Sequence, residues 1–190
     1  RDALARLGVG SVEVSQASVY RTSDAEDLER VLAAIAQPTR ERLLRTALAT
    51  VWLGFDAAAI DALASDEAGL LAHVQRFARA RETWLARGAG FMLRELLRSE
   101  GIAARLLARP DGERRLTNAL HLIECLHQAS DAHPAPDALL RWLQTQRSSE
   151  PGADDATQLR LESDRNLVQI VTIRKAKVLE YPVVFCPFVW

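Results

Sequence analysis

Nowhere in the 190 residues does a G-x-x-x-x-G-K-[ST] pattern occur, so the chain carries no phosphate-cradling loop of its own. Cysteine is scarce. Cys125 falls on an apolar helical face and Cys186 in an apolar extended run, so both read as small buried hydrophobes, and a reducing compartment fits. Neither sign of charge is in excess: 24 Lys and Arg oppose 25 Asp and Glu, for a formal net charge of −1. Attraction to a polyanion must therefore come from a local basic patch and not from the overall field. No apolar run reaches membrane-spanning length, no signal peptide is visible, and no repeat of fixed period is found.

What is there is the composition of a globular protein, 48% apolar with both charges interspersed. Residues 1–7 read as the last turns of a helix stopped at Gly8, and Val12 and Val14 alternate with polar neighbours as in a short strand. From Ser23 to Arg147 the period is helical. Ser23 with Glu26 forms a capping box, and Leu28, Val31, Leu32 and Ile35 follow on one face. Thr39 caps the next helix, a short helix follows Asp56, and a long one runs from Glu67 to Arg87 with Leu71, Val74, Phe77, Trp84 and Leu85 inward, stopped by Gly88. Helices over 91–98, 113–128 (Leu116, Leu120, Ile123 and Leu126 inward) and beyond Pro136 complete the block. Residues 147–158 form a polar linker. The period then turns extended, with 167–173 (LVQIVTI) and 183–188 (VVFCPF) as buried strands. The expected fold class is therefore α/β with a large all-α insertion. The chain opens on Arg1 in mid-helix and closes on Trp190 after a strand, so both ends are expected to be cuts through a larger protein.

Between the two apolar runs lies RKAKVLEYP (174–182), with three cations and one carboxylate on a connection leaving a strand. Ligands gather at the carboxyl ends of strands in open α/β sheets, and such a basic loop can neutralise phosphates. A solvated charged loop is the plainer alternative. The stretch VQIVTIRKAKVLEYPVVF resembles motif V of superfamily 1 DNA helicases, which in the RecB family runs close to VQIVTIHKSKGLEYPLV. GERRLTNALHLIECLHQA (112–129), SVYRTSDAEDLERVLAAI (18–35), LRTALAT (44–50) and RLESDRNLVQ (160–169) are similar to RecB stretches in the same order. Motif V points to the superfamily; the GERRLT helix points to RecB.

The resemblance implies a mostly helical 2B-like domain inserted into a partial P-loop-helicase-type 2A sheet. Residues 1–22 and 149–190 would be the 2A-like parts and 23–148 the 2B-like domain. It implies a whole protein that translocates 3′-to-5′ on single-stranded DNA, unwinds duplex and carries a distant exonuclease domain. ATP and Mg²⁺ are its cofactors, DNA strands and duplex junctions its substrate, RecC-like and RecD-like subunits its partners, and the bacterial cytoplasm its place. Carried over by position, Glu180 and Lys177 lie on the nucleotide side of the loop, and Arg174, Thr172 and Lys175 on the DNA side. Two positions depart from the pattern. Arg174 replaces His and can still grip a phosphate bidentately. Val178 replaces Gly, and a β-branched residue is strained at positive φ. The family's Mg²⁺-binding Asp-Glu motif and motif VI arginine are absent, so the chain alone is expected to bind no cofactor and to be inactive as an ATPase. A non-catalytic interaction or DNA-binding module, or a degenerate helicase paralogue, is the alternative reading.

Other features read more plainly. His121 and Cys125, four apart on one helix, lack a second ligand pair for a metal. Arg114 and Arg115 at a helix start, where the dipole disfavours cations, read as a structural salt bridge before a recognition site. Arg76, Arg79, Arg81 and Arg87 give one helix a basic side, read first as solvated. Trp52, Trp84 and Trp142 fall at core spacing rather than as base-stacking platforms.

Overall fold

The computed structural model describes Leu7, Val9 and residues 11–13, 18–149, 168–170 and 182–186. The chain divides into two compact units, one of residues 17–160 and one of residues 1–16 with 161–190.

The larger unit is helical because its helix starts and stops are written locally. A single 3-10 turn (Val19–Arg21) leads into α1 (Ser23–Ala36), whose first N–H groups are met by Thr22: its hydroxyl accepts from the Ala25 N–H at 3.2 Å. Thr22, not Ser23, is therefore the cap, and Ser23 is the first helical residue. In α2 (Glu41–Leu48) the cap position is Arg40, with no side-chain bond, so the cap expected from Thr39 is not formed. Asp56 caps α3 (Ala57–Ala62), and Asp66 caps α4 (Glu67–Arg87) by accepting from the Gly69 N–H at 2.9 Å. Helix α4 stops at Gly88, whose φ of +85° a side chain would strain. Then α5 (Ala89–Ser99), α6 (Ile102–Leu107), α7 (Gly112–Ala129) and α8 (Pro136–Ser148, with Pro136 in its first turn) follow.

Helices α4 and α5 form an antiparallel hairpin, α7 packs against α5 and α6, and α1 lies against α2, α4, α7 and α8. One core results, including Leu28, Leu32, Ile35, Leu44, Leu48, Trp52, Phe77, Met92, Leu93 and Leu122. Each such side chain contributes roughly 1.5–3 kcal/mol on leaving water. Trp52 and Trp84 are buried in this core, as their spacing predicted, and Trp142 packs on its margin. Three leucines expected inward are instead exposed: Leu71, Leu85 and Leu120. Leu71 and Leu85 stand about 120° and 80° round α4 from Phe77, beyond the stripe that its neighbours cover.

The smaller unit contains strands β1 (Ser11–Glu13) and β2 (Val168–Ile170), paired in parallel with Ser11 opposite Val168 and Glu13 opposite Ile170. This pair falls short of the larger α/β sheet expected, which is not seen among the described residues. The VVFCPF reading needs correction too. Residues 182–186 form no strand, and Val183, Val184, Phe185 and Cys186 are exposed, Phe185 at 86%. Val168 and Ile170 are also exposed. An apolar β-branched run becomes a buried strand only where another strand or layer covers it, and none of the described residues covers this one. The readings on 1–6, 8, 14 and 159–166 fall outside the described residues.

Candidate functional site

All five loop residues, Thr172, Arg174, Lys175, Lys177 and Glu180, lie outside the described residues, as does Val178. The structure places what borders them. Strand β2 is described as far as Ile170, and the chain is described again at Pro182, which opens a bend with exposed neighbours.

In the helical unit, the best-defined polar constellation is built on the GERRLT helix. Gly112 begins α7 where a Cβ would lie 2.3 Å from the Leu106 carbonyl oxygen, so only glycine lets α7 start against the end of α6. One turn on, Arg115 is buried. Its Nε donates to Asp24 Oδ1 at 2.8 Å and its Nη2 to Ser23 Oγ at 3.2 Å. Asn118 Nδ2 donates to the other oxygen of Asp24 at 2.9 Å, and Asp27 stands 3.8 Å from the guanidinium. Arg30 lies 3.6 Å from Asp27 on its outer side. Burial works against the Arg115 charge, but the hydrogen bond and charge of Asp24 outweigh it and hold the guanidinium above its ordinary range. The Asp27 carboxyl is pushed up, chiefly by burial, and Arg115 and Arg30 only partly oppose this. The structural-bridge reading of Arg115 is thus the one the geometry bears out: it fastens the start of α7 to the start of α1. Its partners Asp24 and Asp27 carry no motif of their own and lie 91 and 88 positions away, so no local pattern announces them.

The basic side expected on α4 divides. Arg81, itself exposed, donates its Nε N–H to the Ala36 carbonyl at 3.2 Å, and the half-buried Arg76 pairs with Glu100 at 2.9 Å. Burial lowers the Arg76 pKa and Glu100 partly restores it. Arg79 and Arg87 remain exposed. Near the ends of the helical unit, Arg21 donates to the Ser149 carbonyl at 2.7 Å, and Glu29 bonds Gln144 and Arg147, so the entry and exit segments are joined.

A pocket of about 190 Å³ opens between the 3-10 turn, α7 and α8, lined by Tyr20, Cys125, Gln128, Ala129, Ala132, His133 and Trp142. Tyr20 meets Trp142 edge-on at 5.6 Å. Burial and the adjacent Cys125 raise the phenol above its ordinary pKa. Cys125 is buried here as expected, beside the buried His121. Among the described residues no group of His, Cys, Asp and Glu is arranged to hold a metal. No helix among them is long and apolar enough to cross a membrane.

No protein-family model matches the chain. It is 44% identical over its whole length to the RecBCD enzyme subunit RecB of Escherichia coli, covering 16% of that protein. It is 41% identical to RecB of Haemophilus influenzae over 99% of the chain, and 34% identical to RecB of Mycolicibacterium smegmatis over 98%. The chain therefore spans about a sixth of the length of the relatives it matches.

Proposed function

We propose that this chain, similar to RecB from end to end, is the 2B-like helical block and adjoining 2A-like segments of a RecB-type subunit. The whole protein would then be an ATP-dependent 3′-to-5′ DNA helicase and exonuclease of double-strand-break repair and recombination. It would work in the bacterial cytoplasm with RecC-like and RecD-like subunits. The observation that carries this reading is the 44% identity sustained over the full chain, which takes in the GERRLT helix and the motif V-like loop alike.

On this reading residues 23–148 are the 2B-like domain, 1–22 and 149–190 belong to the 2A-like part, and the parallel β1–β2 pair is a piece of its sheet. Arg174, Thr172 and Lys175 contact the DNA backbone, while Lys177 and Glu180 stand on the nucleotide side. The sequence has no G-x-x-x-x-G-K-[ST] pattern, so on this reading the phosphate-binding loop belongs to another part of the protein, and no step of ATP hydrolysis is assigned to this chain alone. What the loop supplies is a cation toward DNA and a carboxylate toward the nucleotide, at the two ends of one short connection. Coupling hydrolysis to movement needs such a link.

The test is made in the intact RecB-type protein. Glu180→Ala should lower DNA-stimulated ATP turnover, and Val178→Gly, which restores the family's residue, should raise it. Unchanged ATPase and unwinding rates for both variants would reduce the loop to a connector.

A further inference from the structure

The α4–α5 hairpin concentrates charge that the chain as a whole does not have. Between residues 76 and 100 six arginines face three carboxylates, against a net charge of −1 for the full chain. The structure sorts the six. Arg81 is committed to the Ala36 carbonyl and Arg76 to Glu100. Arg98 pairs with Glu95 at 2.8 Å, but this is a surface pair with Arg98 79% exposed, of the kind that contributes little and opens readily. Arg79, Arg87 and Arg94 are exposed, and no carboxylate among the described residues pairs with them. Arg87 has its guanidinium carbon 3.2 Å over the centre of the half-buried Phe91 ring. That stacking orders a long side chain while its in-plane N–H groups keep their donors for an outside acceptor.

We infer that Arg79, Arg87 and Arg94 form a contact for the phosphodiester backbone of DNA. Arg79 and Arg87 sit eight residues apart on one helix, about 12 Å along its axis at 1.5 Å per residue and about 80° apart round it. That spans roughly three to four base steps of a strand at 3.4 Å each. The cations are all arginine, whose planar fork matches two phosphate oxygens at once. The contact inferred is to the backbone, which carries no sequence information of its own. The inference rests on the reading that the whole protein binds DNA.

The experiment uses the intact RecB-type protein with its partner subunits. Binding to a blunt 20-base-pair duplex and to a 20-nucleotide oligothymidylate is followed by fluorescence anisotropy over a series of salt concentrations. Each phosphate contact contributes about 0.9 to the slope of log K against log salt on duplex and about 0.7 on a single strand. The R79A/R87A/R94A variant should lower the slope by roughly two to three on whichever probe this face grips, which identifies the strand form. R79K/R87K/R94K should keep most of the slope, since the charge remains. Arg42→Ala, an exposed arginine on α2, should leave it unchanged. An unchanged slope in the triple alanine variant on both probes overturns this surface while leaving the helicase reading intact. Equal losses in the lysine and alanine variants would also overturn it, by pointing to damaged packing. Failure of the unmodified protein to bind either probe overturns both readings.

Discussion

Replacing Arg115 by Met is the sharpest perturbation that the helical unit offers. The substitution keeps most of the side-chain volume and removes the charge, leaving Asp24 at 2% exposure and Asp27 at 6% without their buried cation. Removing one partner of a buried ion pair typically destabilises by about 3–5 kcal/mol, because the surviving charge stays desolvated and uncompensated. Asp24 would keep the Asn118 bond at 2.9 Å, which places the expected loss toward the lower end of that range. For a chain of this size each kcal/mol moves the melting temperature by about 2–4 °C, so a loss of about 3–4 kcal/mol in Arg115→Met should lower it by roughly 6–16 °C. Thermal melts of this chain by circular dichroism and calorimetry would read the shift. Adding Asp24→Asn and Asp27→Asn to the same variant should recover much of the loss, since no buried charge is then left unpaired. A loss below about 1 kcal/mol in Arg115→Met, or no recovery in the triple variant, would refute the account of this cluster as a paired buried charge.

Two further expectations follow from the same elements. The folded-state pKa of Asp27 is raised above its ordinary value of 3.8, so its contribution is present at low pH and is lost as pH rises from there through the folded-state value. Asp27→Asn should therefore show a flatter fall of stability with rising pH above about 4 than the unmodified chain, and coincident pH profiles from urea titrations would contradict this. Gly112→Ala places a methyl where the Leu106 carbonyl oxygen is 2.3 Å away, in rigid backbone, and should destabilise by about 1–3 kcal/mol. A urea midpoint unchanged by this substitution would show that α6 and α7 can part at no cost.

How far each feature was legible depended on how far away its cause lay. The helical block was readable because its signals are local. Asp56 and Asp66 cap within three residues, Gly88 stops α4 by its own φ, and the stripe of Leu28, Val31, Leu32 and Ile35 is a property of one helix. The motif V-like loop and the GERRLT helix were likewise visible as strings, and they carried the resemblance that the relatives support over the full chain. What a residue touches across the fold was not readable. Arg79 and Arg81 look alike in the sequence, yet only Arg81 meets the end of α1, because α1 crosses one side of α4 and not the other. Arg115 could be read as paired, but Asp24 and Asp27 as its partners needed the packing of α7 on α1. The VVFCPF run had the composition of a buried strand, and composition could not say whether anything would cover it. Residues 183–186 are exposed because burial is a relation between elements, decided by what the tertiary structure lays over them.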